Sequence, residues 1–229
     1  MAVAKTRTRT RSAEMEAVLL EAAADLLDAE GPEALSVRRI AAAAGVAPMG
    51  VYNHFDSKAG IVEALFVQGF DRLRAAMSSL RDIEDPLEAL AESCRRYRAL
   101  ALAHPRVYEL MFLAPVPGFE PSDEARTVAL EAFDGLVAAV RRAMSAGAVA
   151  AGDPTTVAQI VWSAAHGWMA LELAGMTFVD DQDAAAEQLC CVLLRGLAPP
   201  RAAGAASGAG NRRRRAASRP GGGGSARRG

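Results

Sequence analysis

The stretch Leu35–Lys58 reads LSVRRIAAAAGVAPMGVYNHFDSK, and it contains two short helical patterns joined by a tight turn. This is the layout of a helix-turn-helix. Ser36 can cap the first helix because its hydroxyl can accept a hydrogen bond from an unpaired backbone N–H, and Gly45 can adopt the left-handed conformation that ends this helix. Pro48 suits the first turn of the second helix, where a missing N–H costs nothing. The stretch therefore predicts a compact helix-turn-helix.

The second helical pattern has one apolar side and one mixed side. Val51 and Phe55 are four residues apart, so they lie on the same side of the helix. A small shared core is predicted from Ile40, Ala44, Val46, Val51 and Phe55. The outer side carries Pro48, Met49, Tyr52 and Asn53. An outer side this short and mixed in character favours contact with the groove of a DNA duplex.

At these residues the chain resembles the TetR (tetracycline-repressor) family of bacterial transcription regulators. The family pattern has a Ser or Thr cap, then I-A-x-x-A-G-V, then Gly-x-Tyr, His-Phe and a lysine that opens the next helix. The matching elements here are Ser36, Ile40-Ala41, Ala44-Gly45-Val46, Gly50-Val51-Tyr52, His54-Phe55 and Lys58. Ala47 departs from the pattern, because the family often has a Ser or Thr there that caps the recognition helix.

The resemblance implies which residues contact DNA. Arg38 matches a position that can reach a base edge, where an arginine can bind O6 and N7 of guanine; the alternative is a solvated or phosphate-bound arginine. Other positions bind backbone phosphate, which fixes register more than it reads sequence. The predicted DNA-binding residues are Ser36, Arg38, Pro48, Met49, Tyr52, Asn53, His54 and Lys58.

Composition and charge are compatible with this interpretation. Of the 229 residues, 51% are hydrophobic and only 5% aromatic, which favours closely packed helices and an all-α fold. The formal net charge of −1 hides an uneven distribution. Basic residues gather near the N-terminus, on the helix-turn-helix and in the C-terminal tail, where Arg212 to Arg215 stand in a row. A protein that meets DNA at one end would have this pattern, and so would any soluble protein with basic tails.

The chain divides into four predicted parts. Residues 1–11 form a basic arm that is expected to stay disordered until it meets DNA, and Ser12 is the expected N-cap of the first helix. Residues 12–58 form the helix-turn-helix domain, and residues 59–198 form a larger helical domain that binds ligand and dimerises. Residues 199–229 contain mostly Ala, Gly, Ser and Arg, which cannot build a core, so a disordered basic tail is predicted; its contribution to DNA binding is left open.

The last two predicted helices, which begin at Asp153-Pro154 and at Ala184, are apolar on nearly every side. Helices of this kind must be covered, so one face of each is expected to pack on a second subunit. The resemblance, which includes a Trp162…His166-Gly167 step similar to the WHG subgroup, implies a homodimer built through these helices. The residues expected at the dimer interface are Trp168, Leu171, Leu189, Val192 and Leu193.

A pocket for a small, largely apolar ligand is also predicted in the C-terminal part. The larger and polar-tipped side chains there could line a cavity, although each of them alone is more often plain core. The candidate pocket residues are Tyr97, Tyr108, Met111, Phe112, Phe133, Trp162, His166 and Met169.

Other functional classes have little support in the sequence. None of the three histidines has a partner at metal-ligand spacing, and no P-loop, GxSxG or dinucleotide-binding motif occurs, so we expect no enzyme, no metal and no cofactor. The three cysteines favour a reduced, cytoplasmic protein. No apolar run is long enough to span a bilayer, so no membrane partner is expected.

The sequence thus predicts a homodimeric repressor that a small ligand releases from palindromic operator DNA. Repression rather than activation is an expectation from the family. Two alternatives stay open. One is a ligand-independent architectural protein whose basic tails dominate DNA binding. The other is a helical small-molecule-binding protein or enzyme that retains the motif only as a scaffold.

Overall fold

The computed structural model describes residues 2–113 and 116–200, and within them every regular element is a helix. This confirms the predicted all-α fold. The long helices are joined by short loops and by two 3-10 turns, Pro32–Ala34 and Ser78–Asp82. In chain order the helices are α1 (Ala2–Glu30), α2 (Val37–Ala43), α3 (Pro48–Tyr52), α4 (Lys58–Met77), α5 (Pro86–Ala103), α6 (Pro105–Phe112), α7 (Asp123–Ser145), α8 (Pro154–Leu173) and α9 (Gln182–Gly196).

Local chemistry explains where most helices start. The Ser36 hydroxyl accepts the Arg39 N–H at 3.4 Å, as predicted, and the Ser57 hydroxyl accepts the Gly60 N–H at 3.2 Å at the start of α4. The carboxylates of Asp85 and Asp153 perform the same task for α5 and α8. Each of these side chains satisfies a backbone N–H that the helix itself leaves unpaired.

Two predicted helix starts are wrong. The first helix begins at Ala2, so Ser12 lies inside α1 and caps nothing; residues 2–11 contain no Gly or Pro, and their Arg and Lys residues are good helix formers. The backbone of the predicted arm therefore continues α1. Helix α9 begins at Gln182 rather than Ala184, because the Asp181 carboxylate accepts the Ala184 N–H at 2.9 Å. Residues 201–229 of the predicted tail lie outside the described residues.

The largest apolar core runs through the DNA-binding half and into the helices beyond it. It joins residues of α1, α2 and α3 to residues of α4 and α6. Among its fully buried members are Leu19, Leu27, Ile40, Val51, Ile61, Leu65 and Tyr108. A second, smaller core lies among α5, α7, α8 and α9. The helix-turn-helix is therefore not an independent unit within this fold.

Helix α6 is held by α1 of the DNA-binding half and by α4, the helix that follows this half in the chain. The Asp28 carboxylate of α1 accepts the backbone N–H of Arg106 at 2.7 Å and lies 3.2 Å from His104 Nδ1, at the start of α6. On α4, Gly69 lies against Met111 of α6, so closely that an added Cβ would lie 2.5 Å from the Met111 sulfur. We call these two contacts the α6 junction.

None of the helices in the described part of the chain has both the length and the apolar character needed to cross a membrane.

Candidate DNA-binding surface and C-terminal cavity

The outer side of α3 is exposed as the sequence predicted. Met49 is 67% exposed and Tyr52 is 53% exposed, and Pro48 and Asn53 are exposed as well. On the opposite side, Val51 is fully buried. The surface is therefore presented by a helix that is anchored by its apolar side, with side chains large enough to enter a DNA groove.

The turn before α3 fixes the angle of this surface. Gly45 has a φ of +67°, in the left-handed region that favours glycine, and the Val46 N–H donates to the Ala41 carbonyl at 2.9 Å. Ala47 supplies no side-chain cap to α3, as the departure from the family pattern predicted. Pro48 at the first turn lowers the number of uncapped N–H groups there.

Two neighbouring arginines on α2 differ in their pairing. The Arg39 guanidinium forms a salt bridge with Glu30 of α1. Arg38 is exposed, and within residues 12–113 and 116–200 it has no acidic side chain at salt-bridge distance. Lys58, in the first turn of α4, is also exposed and has no such neighbour in the same ranges. These two cations are thus available to a phosphate or a base edge.

The other predicted DNA-contacting residues lie beside these cations. Ser36 is half-buried; its oxygen accepts the Arg39 N–H, while the hydroxyl hydrogen can still be donated. His54 is half-buried, with its ring centroid 6.3 Å from that of Phe55. This position agrees with both the phosphate-contacting and the packing interpretations of His54.

In the C-terminal half, four polar-tipped side chains form a chain of hydrogen bonds. Trp162 Nε1 donates to the Tyr97 hydroxyl at 3.1 Å, and Tyr97 donates to the Tyr108 hydroxyl at 3.1 Å. The Tyr108 hydroxyl lies 2.6 Å from His166 Nδ1. Because the Tyr108 oxygen already accepts from Tyr97, its own hydrogen is free to be donated to His166. The chain thus links α8, α5 and α6 through the buried Tyr97 and Tyr108 and the half-buried Trp162 and His166.

Burial sets the protonation of this network. It raises the pKa of Tyr97 to about 12 and lowers the pKa of His166, so His166 is neutral near pH 7. A neutral imidazole with an unprotonated Nδ1 can accept the Tyr108 hydrogen. The tyrosines and the histidine are therefore held as uncharged donors and acceptors.

Aromatic rings surround the network. The Phe112 ring centroid lies 5.2 Å from that of His166, and the Phe133 centroid lies 5.9 Å from that of Trp162. Met111 and Met169 are buried in the same core. The structure thus gathers the predicted pocket residues, but as closely packed core around a hydrogen-bonded centre.

A cavity with a volume of about 370 Å³ lies next to this cluster, between α5, α8 and α9. Of the predicted pocket residues, Tyr97 and Met169 line it. Three residues predicted for the dimer interface, Trp168, Leu189 and Leu193, also line it, whereas Leu171 and Val192 lie on the outside and are 50% and 57% exposed. Sequence periodicity identified these helices as apolar, but it could not tell which apolar face meets another helix of the same chain.

Ion pairs cross the edge of the cavity. Arg98 of α5 binds the buried carboxylate of Glu172 on α8 through contacts of 2.5 and 2.8 Å, and it also contacts Asp183 of α9 at 2.7 Å. Trp168 Nε1 donates to Glu172 at 2.7 Å. Arg95 pairs with Glu92 at 2.8 Å and reaches Glu187 of α9 at 3.4 Å. The charged groups that line the cavity are thus paired with one another.

Replacing Glu172 by glutamine is expected to change how stability depends on pH. The hydrogen bond from Arg98 lowers the pKa of Glu172, so its charged form stabilises the fold above the ordinary value of 4.5 and this contribution is lost as pH falls through the lower folded value. In urea unfolding at pH 7 we expect Glu172→Gln to cost roughly 1–3 kcal/mol. The difference should shrink steadily towards pH 3.

A matched control is Glu131→Gln, which breaks an ion pair between Arg74 and a carboxylate that is 55% exposed. Its effect at pH 7 should stay below about 0.5 kcal/mol, since exposed pairs contribute little. A Glu172→Gln penalty that is the same at pH 7 and pH 3 would contradict the assigned role of the ion pair.

Comparisons with known proteins cover both halves of the chain. A family model described as "Bacterial regulatory proteins, tetR family" matches residues 19–65, and one described as "Tetracyclin repressor-like, C-terminal domain" matches residues 90–193. An uncharacterized HTH-type transcriptional regulator of Mycobacterium tuberculosis is 27% identical over 168 residues, which are 73% of this chain and 73% of that protein.

Solved structures are also similar to this chain over most of its length. A protein of unknown function from Rhodococcus sp. RHA1 is 28% identical, with a TM-score of 0.71, and the match covers 80% of this chain and 95% of that one. AibR, solved in complex with isovaleryl coenzyme A and operator DNA, is 25% identical with a TM-score of 0.57, over 81% of this chain and 98% of AibR. The residues matched by the two family models contain α3 and most of the three helices around the cavity.

Proposed function

Because the chain belongs to the tetR family of bacterial transcription regulators, we propose that it is a homodimeric repressor that a small, largely apolar ligand releases from a palindromic operator. The observation that carries the DNA-binding part is the surface formed by Met49, Tyr52, Arg38 and Lys58. It combines exposed side chains that suit a groove with two cations that no acidic side chain neutralises within the described ranges. We propose Arg38 as the base-reading residue and Lys58 and Tyr52 as phosphate contacts.

An exposed apolar stripe supports the proposed dimer. Ile160 and Leu171 of α8 are 46% and 50% exposed, and Val192 of α9 is 57% exposed. Exposed apolar surface on adjacent helices favours association with another protein surface. If two copies pair through this stripe, their recognition helices can meet two half-sites about one helical turn apart, or a multiple of it.

Replacing Leu171 by alanine is therefore expected to weaken dimerisation roughly 10-fold or more, because it removes apolar area that the partner would bury. Sedimentation analysis over a concentration series measures this. Leu130→Ala is the matched control, because Leu130 is 65% exposed but lies on α7 rather than on α8 or α9. Equal dissociation constants for the wild type and Leu171→Ala would place the dimer interface elsewhere.

The ligand part of the proposal rests on the cavity between α5, α8 and α9. Its volume of about 370 Å³ falls within the range of small-molecule sites, and its wall is mostly apolar. AibR, which resembles this chain over most of its length, binds isovaleryl coenzyme A and operator DNA in its structure. Both observations support a small effector with an apolar part.

The α6 junction offers a route for coupling. Tyr108 of α6 is tied to His166 and, through Tyr97, to Trp162, while the start of α6 is held by Asp28 of α1. A ligand that changes how α5 and α8 pack would thus act on α6, and through it on α1 and α4. By linkage, the ligand must prefer the DNA-free state by the same factor by which it weakens DNA binding.

The experiment that tests the proposal is selection of bound duplexes from a random DNA pool by the purified protein, followed by sequencing. An enriched inverted repeat is the expected result. The control is the double variant Tyr52→Ala, Lys58→Ala, which should bind the selected duplexes more weakly, because it lacks two phosphate contacts. Absence of enrichment by the wild type, with binding that vanishes as salt rises, would contradict sequence-specific regulation and favour the architectural alternative. Equal DNA affinity of wild type and double variant would favour the scaffold alternative.

A further inference from the structure

Two cysteines from different helices lie side by side at the wall of the cavity. Cys94 is on α5 and half-buried, and Cys190 is on α9 and only 6% exposed. Both line the cavity of about 370 Å³, and Cys94 packs against the apolar core that contains Cys190. The packing of α5 on α9 thus brings together two thiols that are far apart in the sequence.

The two neighbouring thiols shift each other's pKa in opposite directions. The Cys190 thiol lowers the pKa of Cys94 against the opposing effect of burial; Ser93 and the nearby Arg95 act in the same direction. The Cys94 thiol, together with burial, raises the pKa of Cys190. Of the two thiols, Cys94 therefore loses its proton more readily. A thiolate is the nucleophilic form of cysteine.

Cys191 provides an internal contrast. It is adjacent to Cys190 in the sequence, but it is exposed on the other side of α9 and does not line the cavity. The Cys94–Cys190 pair is therefore distinguished by its place in the fold, and a chemical reaction at the pair can be separated from one at a surface thiol.

The cavity also determines which reagent can reach the pair. It is partly open to solvent and mostly apolar, and its charged lining residues, such as Arg98 and Asp183, are paired with each other. It therefore offers no unpaired charge to an ionic reagent. A small uncharged oxidant such as hydrogen peroxide fits these conditions.

We propose that Cys94 and Cys190 form a peroxide-reactive dithiol that closes to a disulfide between α5 and α9. This proposal goes beyond the proposed regulation of transcription and does not depend on it. In the first step the Cys94 thiolate attacks one peroxide oxygen, so that an S–O bond forms, the O–O bond breaks, and the departing hydroxide takes up a proton to become water. Cys94 is then a sulfenic acid.

In the second step the Cys190 sulfur attacks the Cys94 sulfur. The S–S bond forms, the S–O bond breaks, and the hydroxyl leaves with the Cys190 proton as a second water. Overall, two thiols lose two electrons and one peroxide is reduced to two waters. The product covalently joins α9, which carries the exposed Val192, to α5.

The test uses the full chain with Cys191→Ser, which leaves Cys94 and Cys190 as its thiols. The reduced protein is treated with hydrogen peroxide, remaining thiols are blocked under denaturing conditions, and tryptic peptides are identified by mass spectrometry. The expected product is peptide 82–95 joined to peptide 143–195, formed within one chain. Recovery of both thiols unoxidised, or a disulfide between two chains, would overturn the proposal.

Two variants test whether the reactivity of Cys94 depends on Cys190 rather than on Cys191. In the otherwise unaltered chain, Cys190→Ala should slow the loss of the Cys94 thiol about 10-fold or more, since Cys94 loses the neighbouring thiol that lowers its pKa. Cys191→Ser should leave the rate unchanged. If the Cys94 thiol were lost at the same rate in Cys190→Ala and in the wild type, the proposed dithiol would be refuted.

A second measurement does not depend on any change to the buried cysteines. Phenylarsine oxide binds tightly only when two thiols lie close enough to share one arsenic atom. One equivalent should be retained by the folded Cys191→Ser protein. Failure to retain the arsenical would show that the two thiols do not meet, and would count against the proposal as strongly as the absence of the disulfide.

Discussion

Replacing Arg38 by alanine is expected to weaken operator binding about 30-fold or more. Arg38 is exposed on α2, and it has no salt-bridge partner within the described side-chain ranges that would compete with DNA. Loss of one bidentate contact to a base costs about 1–3 kcal/mol, and a dimer on two half-sites loses it twice. Fluorescence anisotropy with the selected operator, compared with a scrambled duplex, gives the measurement.

The neighbouring Arg39→Ala is the matched control, because Arg39 is already occupied by its salt bridge with Glu30. It should change affinity less than about 3-fold, as expected for an exposed ion pair. If Arg38 reads a base, its loss should also relax preference at one position of each half-site. A uniform loss on every sequence, with a smaller salt dependence, would instead make Arg38 a phosphate contact.

Replacing Tyr108 by alanine is expected to lower the free energy of unfolding by roughly 3–5 kcal/mol. Tyr108 is fully buried, and its ring contacts Tyr97, Phe112 and His166. The substitution leaves a cavity and removes both the acceptor for Tyr97 and the donor to His166. Urea unfolding followed by circular dichroism measures the effect.

Tyr108→Phe separates the two causes, since it keeps the ring and removes only the hydroxyl. Its cost should be about 1–2 kcal/mol, the usual range for hydrogen bonds lost from a buried network. If Tyr108→Phe were as destabilising as Tyr108→Ala, the hydrogen-bond network rather than packing would account for the stability of this region. If Tyr108→Ala left the free energy of unfolding almost unchanged, neither packing nor the hydrogen bonds of Tyr108 would contribute to stability.

The helix-turn-helix was predictable because its signals are local. The cap at Ser36, the left-handed Gly45 and the inward Val51 each depend on residues within one or two turns of the chain. The absence of a cap at Ala47 was predictable for the same reason. The start of α1 was missed because a plausible cap residue, Ser12, can equally continue a helix when no Gly or Pro interrupts it.

The C-terminal half was predictable only in part. Residue type was enough to identify Tyr97, Tyr108, Trp162 and His166 as a group, and the structure joins them by hydrogen bonds. The place of the cavity could not be obtained in this way, because it depends on how three helices cross. The positions of Cys94 and Cys190 at this cavity also depend on how the helices cross, since nothing in the spacing of the two residues predicts that they lie together.

The α6 junction limits how freely the two halves of such regulators can be exchanged. Asp28 lies on α1 and Gly69 on α4, the helix that follows the helix-turn-helix, while Arg106 and Met111 lie on α6. A chimaera that grafts a relative's operator specificity onto this ligand domain would bring a foreign residue to the place of Gly69 and a foreign carboxylate, or none, to that of Asp28. Engineers of biosensors from this chain should therefore transplant only the surface of α2 and α3 and leave its supporting helices native.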